Sequence, residues 1–211
     1  MRVQAKICGL STPATLDAAL AGGARHVGLV FFPPSPRNLG PEAARGLLAG
    51  VPAQVGKVGV FVDPDDALVD AAIASGIDTL QLHKTAPERA AALRRRTRLP
   101  VWAAVAVKAR ADLAAAAGFA DAADRILYDA KTPDTAALPG GLGLRFDWKL
   151  LQGHPHPLPW ALSGGLTPEN VAEAVRVTGA PLVDISSGVE SAPGVKDVAK
   201  IAAFLQAVAQ C

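Results

Sequence analysis

Three side chains that can move protons or bind anions stand where apolar runs of the sequence end. Cys8 closes the run VQAKIC, Asp129 closes DRILYD, and Arg37 follows the loop FFPPSP. A desolvated carboxyl can act as an acid, and an ammonium two residues before the thiol, that of Lys6, favours the thiolate. These residue types predict proton transfer on a small polar molecule. On spacing alone Cys8 is as readily a small buried hydrophobe, and Asp129 a helix cap.

Two glycine-containing turns predict a phosphate site. SGGLTPEN places Gly164 and Gly165 just before a helix predicted to begin at Thr167, and DISSGVE places Ser187 and Gly188 after the last apolar run. Backbone N–H groups at such turns, together with a helix dipole, favour an anion. Each turn alone is as easily an ordinary connection, and it is the occurrence of both that indicates phosphate.

The loop before Arg37 predicts a second anion contact. Pro33, Pro34 and Pro36 stiffen the loop and present the arginine. A guanidinium at the end of a rigid loop is suited to bidentate capture of a carboxylate. An ordinary surface arginine is the alternative.

Eight apolar runs alternate with amphipathic stretches along the chain. The runs span 3–8, 26–32, 55–63, 77–83, 100–107, 124–129, 159–165 and 180–188. Continuously apolar runs are typical of parallel strands buried on both faces. A first helix is predicted to begin near residues 11–13, and further helices are predicted at 41–50, 64–76, 86–96, 109–118, 146–153, 167–179 and 198–209. The pattern predicts an α/β fold, a closed (β/α)8 TIM barrel in which residues 1–211 form a single domain.

An open, doubly wound sheet is the alternative architecture, but the first strand–helix turn lacks the pattern G-x-G-x-x-G. In a barrel the functional side chains lie at the carboxyl ends of the strands. Besides Cys8 and Asp129, this rule selects Asp63, His83 and Asp184.

Composition excludes several classes of protein. The net charge of +2 over 211 residues gives no drive toward nucleic acid or an anionic membrane. Cys8 and Cys211 are too few and too distant for a disulfide framework or a zinc site, so no metal is expected. No signal peptide or long apolar run occurs. We expect a cytoplasmic protein without a nucleic-acid or membrane partner, a monomer by default, with a dimer possible.

The motifs KICGL, GLVFFPPSPR, LQLH, LSGGLTPENV and VDISSGVESAPGVKD follow one another over nearly the whole chain. In this order they resemble those of the phosphoribosylanthranilate isomerases of tryptophan biosynthesis. The resemblance implies a (β/α)8 barrel without a cofactor. It implies a small-molecule substrate and the Amadori rearrangement of N-(5′-phosphoribosyl)anthranilate to 1-(o-carboxyphenylamino)-1-deoxyribulose 5-phosphate.

The same resemblance implies roles for individual residues. Cys8 is the implied general base, Asp129 the general acid and Arg37 the contact to the anthranilate carboxylate. His83 and Asp184 are implied to line the substrate pocket. The implied phosphate contacts are Gly164, Gly165, Ser187 and Gly188.

Three positions depart from the usual family pattern. Leu142 stands where a hydroxyl residue is usual, Asn38 where an aromatic residue is frequent, and Tyr128 where an aliphatic residue is commoner. None of the three removes a proposed catalytic group.

Other functions remain as alternatives. The related isomerase of histidine biosynthesis uses two aspartates, and this chain has Cys8 at one of those positions. Indole-glycerol phosphate synthase needs a set of lysines that cannot be assigned here. A barrel that binds a phosphorylated ligand without catalysis is disfavoured, because Cys8, Arg37 and Asp129 are all present.

Overall fold

Eight parallel strands close into a barrel, in the order in which they occur along the chain. The computed structural model describes residues 2–133 and 141–211. The strands are β1 (Gln4–Cys8), β2 (His26–Val30), β3 (Gly56–Val62), β4 (Thr79–His83), β5 (Val101–Val107), β6 (Arg125–Ala130), β7 (Trp160–Leu162) and β8 (Leu182–Ile185). β8 pairs with β1, which closes the barrel. The predicted (β/α)8 barrel is therefore confirmed, and the open sheet is wrong.

Helices cover the outside of the barrel. In the described ranges the α-helices are α1 (Pro13–Ala21), α2 (Pro41–Leu48), α3 (Asp66–Ala74), α4 (Pro87–Thr97), α5 (Val171–Thr178) and α6 (Val198–Ala209). Thr12 caps α1, since its hydroxyl oxygen accepts the N–H of Thr15. A short hairpin of β9 (Glu190–Ala192) and β10 (Val195–Lys196) follows β8. No helix in the described ranges is long and apolar enough to cross a bilayer.

The helix predicted at 109–118 is a 3-10 helix, Arg110–Phe119, rather than an α-helix. Its buried residues are Leu113, Ala116 and Phe119, which are three residues apart. A helix with three residues per turn keeps all of them on one face. The short helix expected at 146–153 is likewise a 3-10 turn, Trp148–Leu151.

The helix after β7 begins at Val171, not at Thr167 as predicted. The side chain of Asn170 is the reason. Its Oδ1 accepts the N–H of Thr167 at 2.8 Å, and its Nδ2 donates to the carbonyl of Gly165 at 2.9 Å. These two bonds hold residues 165–170 in a turn, which joins the helix where the N–H of Val171 donates to the carbonyl of Thr167 at 3.1 Å.

The barrel interior is filled at the end where the strands begin. There the rings of His26 and Trp102 meet edge to face at 4.9 Å, and the guanidinium of Arg125 lies 5.0 Å from the Trp102 ring. Inward-facing apolar residues form the next layers: Val30, Val58, Val60, Leu127, Ala161 and Leu182. A closed floor leaves the carboxyl ends of the strands as the open end of the barrel.

Tyr128 lies on the outer face of β6, since its neighbours Leu127 and Asp129 point inward. It is fully buried, and its hydroxyl lies 3.2 Å from Nδ1 of His156. Tyr128, in place of the usual aliphatic residue, therefore packs between β6 and the layer outside the barrel and does not line the barrel mouth.

Candidate active site

The charged and polar residues predicted at the strand ends meet in one cleft at the open end of the barrel. The cleft has a volume of about 570 Å³, and its walls include Cys8, Arg37, His83, Asp129 and Asp184. These residues come from five different strands or loops, as expected when a closed barrel brings the carboxyl ends of its strands to one face. Asp63, at the end of β3, is not among the lining residues of this cleft.

Lys6 lies beneath the cleft and is fully buried. Its Nζ donates to Oδ1 of Asp184 at 2.9 Å, across the seam where β1 pairs with β8. Burial acts to lower the pKa of Lys6, but Asp184 and Cys8 outweigh it, and the net pKa is raised. Lys6 is therefore an ammonium inside the barrel. Asp184, which was predicted to contact the substrate, is its counter-ion.

Cys8 is buried at the end of β1, on the same side of the strand as Lys6. Burial raises the pKa of its thiol, Lys6 and Lys196 act to lower it, and Asp184 adds to the rise. The net pKa lies above the ordinary value. The N–H groups of Gly9 and Leu10 both donate to the carbonyl of Gly28, at 2.8 and 3.1 Å, so these amides are already engaged. Ammonium groups are thus what opposes the effect of burial on this thiol.

Asp129 is also buried, and its environment favours the protonated acid. Burial, followed by the charge of Asp184, raises the pKa of Asp129 to about 7. Hydrogen bonds from Ser163 and from the N–H of Ala130, at 2.9 Å, act in the opposite direction without cancelling the rise. This carboxyl can therefore hold a proton near neutral pH, as the sequence-based prediction required.

Arg37 lies in the cleft wall, but its bidentate edge is already occupied. Its Nε and Nη2 donate to the two carboxylate oxygens of Glu190 at 2.7 and 2.8 Å, and Nη2 also donates to the carbonyl of Gly141 at 3.0 Å. The edge of the guanidinium formed by Nε and Nη2 is therefore bonded to protein groups, so a bidentate contact to a substrate carboxylate through this edge would have to displace Glu190. Glu190 fixes the guanidinium, and Nη1 lies beside Gly141, where the described residues supply it with no acceptor.

Lys196 completes this second buried cluster. Its Nζ donates to Oε1 of Glu190 at 2.6 Å and to the carbonyl and hydroxyl oxygens of Ser186 at 3.0 and 3.1 Å. Burial acts to raise the pKa of Glu190, but the hydrogen bonds from Arg37 and Lys196 hold it below its usual range. The hairpin register places Lys196 opposite Glu190 and so sets this contact.

Gly9, in the motif KICG, is required by this cluster. Its φ is +77°, and a Cβ there would lie 2.7 Å from Cδ of Arg37 and 3.3 Å from Nζ of Lys196. Any side chain would displace both cations. The glycine after Cys8 therefore serves the cleft mouth as well as the turn.

A second cavity of about 360 Å³ adjoins the first and is bordered by the predicted phosphate residues: Gly164, Gly165, Ser187 and Gly188. Asp129, Ser163 and Asp184 line both cavities, so the two adjoin at these residues. Gly164 and Gly165 have φ values of +88° and +64°. Within the described residues their N–H groups have no backbone acceptor. A Cβ on Gly188 would collide with the carbonyl of Leu166, so the two turns touch.

His83 is buried in the cleft wall and is uncharged. Burial lowers its pKa to about 4, with smaller contributions from Lys6 and Lys84. Its Nε2 lies 2.9 Å from Nε2 of Gln81, which lines the same cleft. His83 is therefore a neutral hydrogen-bonding group and not a cation for a carboxylate.

The two remaining departures from the family pattern lie at the cleft mouth. Asn38 accepts the N–H of Phe32 with Oδ1 at 2.8 Å and ties the proline loop together. Leu142 is exposed at the rim of the second cavity and offers no hydrogen bond there from its side chain.

Sequence reasoning missed Glu190, Lys196, Ser163 and Gln81. Glu190 and Lys196 lie in the quoted motif VDISSGVESAPGVKD. Their spacing does not predict a contact with Arg37, which is 153 positions from Glu190. Gln81 and Ser163 carried a weak signal, because each lies at or beside the end of an apolar run.

The fold and the site together define an enzyme of the (β/α)8-barrel class, with titratable groups at the carboxyl ends of the strands. Comparison with known proteins gives the family. The sequence model of the family described as N-(5′-phosphoribosyl)anthranilate (PRA) isomerase matches residues 5–207. The chain belongs to this family of isomerases, which confirms the resemblance found in the motifs.

Curated relatives agree over their full length. N-(5′-phosphoribosyl)anthranilate isomerase of Zymomonas mobilis subsp. mobilis is 53% identical over 211 residues, 99% of each chain. The isomerase of Paracoccus denitrificans is 55% identical over 207 residues, 97% of this chain and 96% of the relative.

Solved structures agree as well. Phosphoribosyl anthranilate isomerase of Thermotoga maritima has a TM-score of 0.88 at 35% identity, covering 99% of this chain and 100% of that one. A phosphoribosyl anthranilate isomerase in complex with reduced 1-(o-carboxyphenylamino)-1-deoxyribulose 5-phosphate has a TM-score of 0.85 at 32% identity, with the same coverage.

The buried cluster around Glu190 yields a stability prediction. Glu190→Gln removes the negative charge between Arg37 and Lys196 and leaves two buried cations without a counter-ion. We expect the free energy of unfolding, measured with urea, to fall by about 3 kcal/mol. Glu173→Gln, at an exposed position of α5, is the matched control and should change it little. A loss for Glu190→Gln no larger than that of the control would contradict the ion-pair account.

Proposed function

We propose that this protein catalyses the Amadori rearrangement of N-(5′-phosphoribosyl)anthranilate to 1-(o-carboxyphenylamino)-1-deoxyribulose 5-phosphate, a step of tryptophan biosynthesis. One observation carries the proposal: Cys8, Asp129 and Arg37 line one cleft, and the glycine turns line the cavity that adjoins it at Asp129 and Asp184. The ligand named in the relative's complex has a carboxylate at one end and a phosphate at the other.

The substrate lies along the two adjoining cavities. Its phosphate binds the turns at Gly164, Gly165, Ser187 and Gly188, where backbone N–H groups and the absence of side chains favour an anion. Its anthranilate carboxylate accepts from Nη1 of Arg37, whose orientation Glu190 fixes. Holding both ends places the ribose between Cys8 and Asp129, which lowers the entropic cost of reaching the transition state.

Asp129 is the general acid. As the carboxylic acid it donates its proton to the ring oxygen of the furanose, the C1′–O bond breaks, and the nitrogen lone pair forms the iminium. Burial and the neighbouring charge of Asp184 raise the pKa of Asp129 to about 7, so the proton is available near neutral pH. His83, neutral and adjacent, provides a hydrogen bond to the sugar without adding charge.

Cys8 is the general base. The iminium acidifies the C2′ hydrogen, and the Cys8 thiolate removes that proton to give an enolamine, which tautomerises to the ketone product. No electrons are gained or lost overall, and no cofactor is needed for the two proton transfers.

The two groups work in a minority protonation state. The pKa of Asp129 is about 7 and that of Cys8 is raised above its ordinary value, so the free site between these values holds mostly a thiol and a carboxylate. Transfer of one proton from Cys8 to Asp129 gives the active pair. Such coupled groups titrate as one system, with apparent values that belong to the pair.

Removal of either catalytic group tests the proposal. Cys8→Ser and Asp129→Asn should each lower kcat for N-(5′-phosphoribosyl)anthranilate by at least about 10²-fold, the usual contribution of general acid–base catalysis. The Kd of the unreactive reduced product analogue, measured by calorimetry, should change little. Cys211→Ser, which removes the exposed thiol, is the matched control and should keep normal turnover. Near-normal turnover of Cys8→Ser would rule out the thiolate as base.

Arg37→Ala tests the carboxylate contact. Loss of a charged hydrogen bond should raise KM by roughly tenfold or more, with a smaller effect on kcat. Arg89→Ala removes an arginine of the surface and serves as the control. An unchanged KM would show that the carboxylate is bound elsewhere.

Complementation of a tryptophan auxotroph that lacks this isomerase tests the pathway assignment. Growth with the wild-type chain and none with Cys8→Ser is expected. No growth with folded wild-type protein would contradict the proposed function.

A further inference from the structure

We propose that the buried Lys6–Asp184 ion pair is an oriented dipole that serves both catalytic groups at once, its ammonium beside the sulfur of Cys8 and its carboxylate beside Asp129. Lys6 and Asp184 are then positioning residues that favour the active thiolate and acid. The catalytic consequence rests on the proposed function, whereas the effect on the thiol does not.

The pair lies near both Cys8 and Asp129. Lys6 and Cys8 share one face of β1, Asp184 is opposite Lys6 on β8, and Asp184 lines both cavities together with Asp129. The charged groups that act on Cys8 are Lys6 from β1, Asp184 from β8 and Lys196 from β10. Those that act on Asp129 are Asp184 and Lys6. His83 also faces the cleft but is neutral.

Gly28, on the neighbouring strand β2, leaves the space in which the ammonium of Lys6 and the sulfur of Cys8 approach each other. It is opposite Cys8 in the pairing of β1 with β2. A Cβ at this position would lie 3.0 Å from Sγ of Cys8 and 3.0 Å from both Cε and Nζ of Lys6. The sulfur of Cys8 and the end of the Lys6 side chain therefore crowd the position that a side chain at residue 28 would take.

The dipole has the direction that the chemistry needs. On Cys8 the ammonium outweighs the carboxylate, so the pair lowers the pKa of the thiol against the larger effect of burial. On Asp129 the carboxylate outweighs the ammonium, so the pair raises the pKa of that carboxyl. The observed orientation of the ion pair brings the pKa values of Cys8 and Asp129 closer together. An ion pair with its two charges exchanged would move them farther apart.

The difference between the pKa values of Cys8 and Asp129 sets the fraction of protein molecules that hold the active thiolate and acid. The active state forms when the proton leaves Cys8 sulfur and binds a carboxylate oxygen of Asp129, with one S–H bond broken and one O–H bond formed. The population of this state rises about tenfold for each unit by which the two pKa values approach each other.

The experiment removes the pair as a unit. Lys6→Met/Asp184→Asn leaves no lone buried charge, and replacing a buried ion pair by neutral groups is often tolerated. In a Cys211→Ser background Cys8 is the only thiol, so its ionisation is followed by ultraviolet thiolate absorbance against pH, without any turnover. Arg89→Met/Asp66→Asn, which removes an exposed ion pair by the same changes, is the matched control.

We expect the Cys8 titration of the double variant to move to higher pH while that of the control stays in place. We also expect kcat/KM between the two titrations to fall by about tenfold per unit of added separation. An unchanged Cys8 titration in the folded double variant would overturn the proposal. A shifted titration with normal kcat/KM would overturn its catalytic half. Normal turnover of Cys8→Ser, by contrast, is a failure of the proposed function itself.

Gly28→Ala keeps the proposal testable if the double variant does not fold. The new methyl group would lie 3.0 Å from both Sγ of Cys8 and Nζ of Lys6, closer than an ordinary contact, so it crowds the space between the ammonium and the sulfur while every charge is retained. We expect the Cys8 titration to move in the same direction, and a shift to lower pH would overturn the proposal.

Discussion

A buried ammonium in the middle of a barrel is the constraint on which the site depends. Lys6 has no access to solvent, and a charge in that environment requires a partner of opposite sign. Asp184 supplies that partner across the seam between β1 and β8, so the pairing of these two strands, which closes the barrel, also brings the counter-ion to Lys6. Gly28, by lacking a side chain, leaves room for Lys6 to reach the sulfur of Cys8 as well.

Cys8 and Asp129 share the cleft with a cluster of cations, and a set of glycine turns lines the adjoining cavity. At the mouth, Glu190 fixes Arg37 and binds Lys196, which leaves this cluster with one net positive charge. In the adjoining cavity, glycine turns offer backbone N–H groups instead of charged side chains. The middle is kept dry enough that Asp129 holds a proton near neutral pH. A molecule with a carboxylate at one end and a phosphate at the other matches this distribution of charge.

Much of this arrangement can be read from the sequence, because continuously apolar runs reveal buried parallel strands and the barrel rule then selects the strand ends. Cys8, Asp129 and Asp184 follow from that reasoning alone. The contact of Arg37 with Glu190 does not, since it joins a loop after β2 to a hairpin after β8. The late start of α5 depends on two hydrogen bonds of Asn170, and the sign of the Cys8 shift depends on burial, which no local pattern reveals.

The pH dependence of kcat/KM of the wild-type protein tests the central claim most directly, because Asp129 and Cys8 must carry one proton between them. Below pH about 7 both groups are protonated and the base is lost, whereas above the raised pKa of Cys8 both are deprotonated and the acid is lost. The account predicts a bell-shaped profile whose acid limb has an apparent pKa of about 7. In Asp129→Asn the residual activity should follow the Cys8 thiolate alone, so the acid limb moves to the higher pKa of Cys8 and the alkaline limb disappears. An acid limb near the ordinary carboxyl value of about 4, or activity that rises without limit toward alkaline pH, would contradict it.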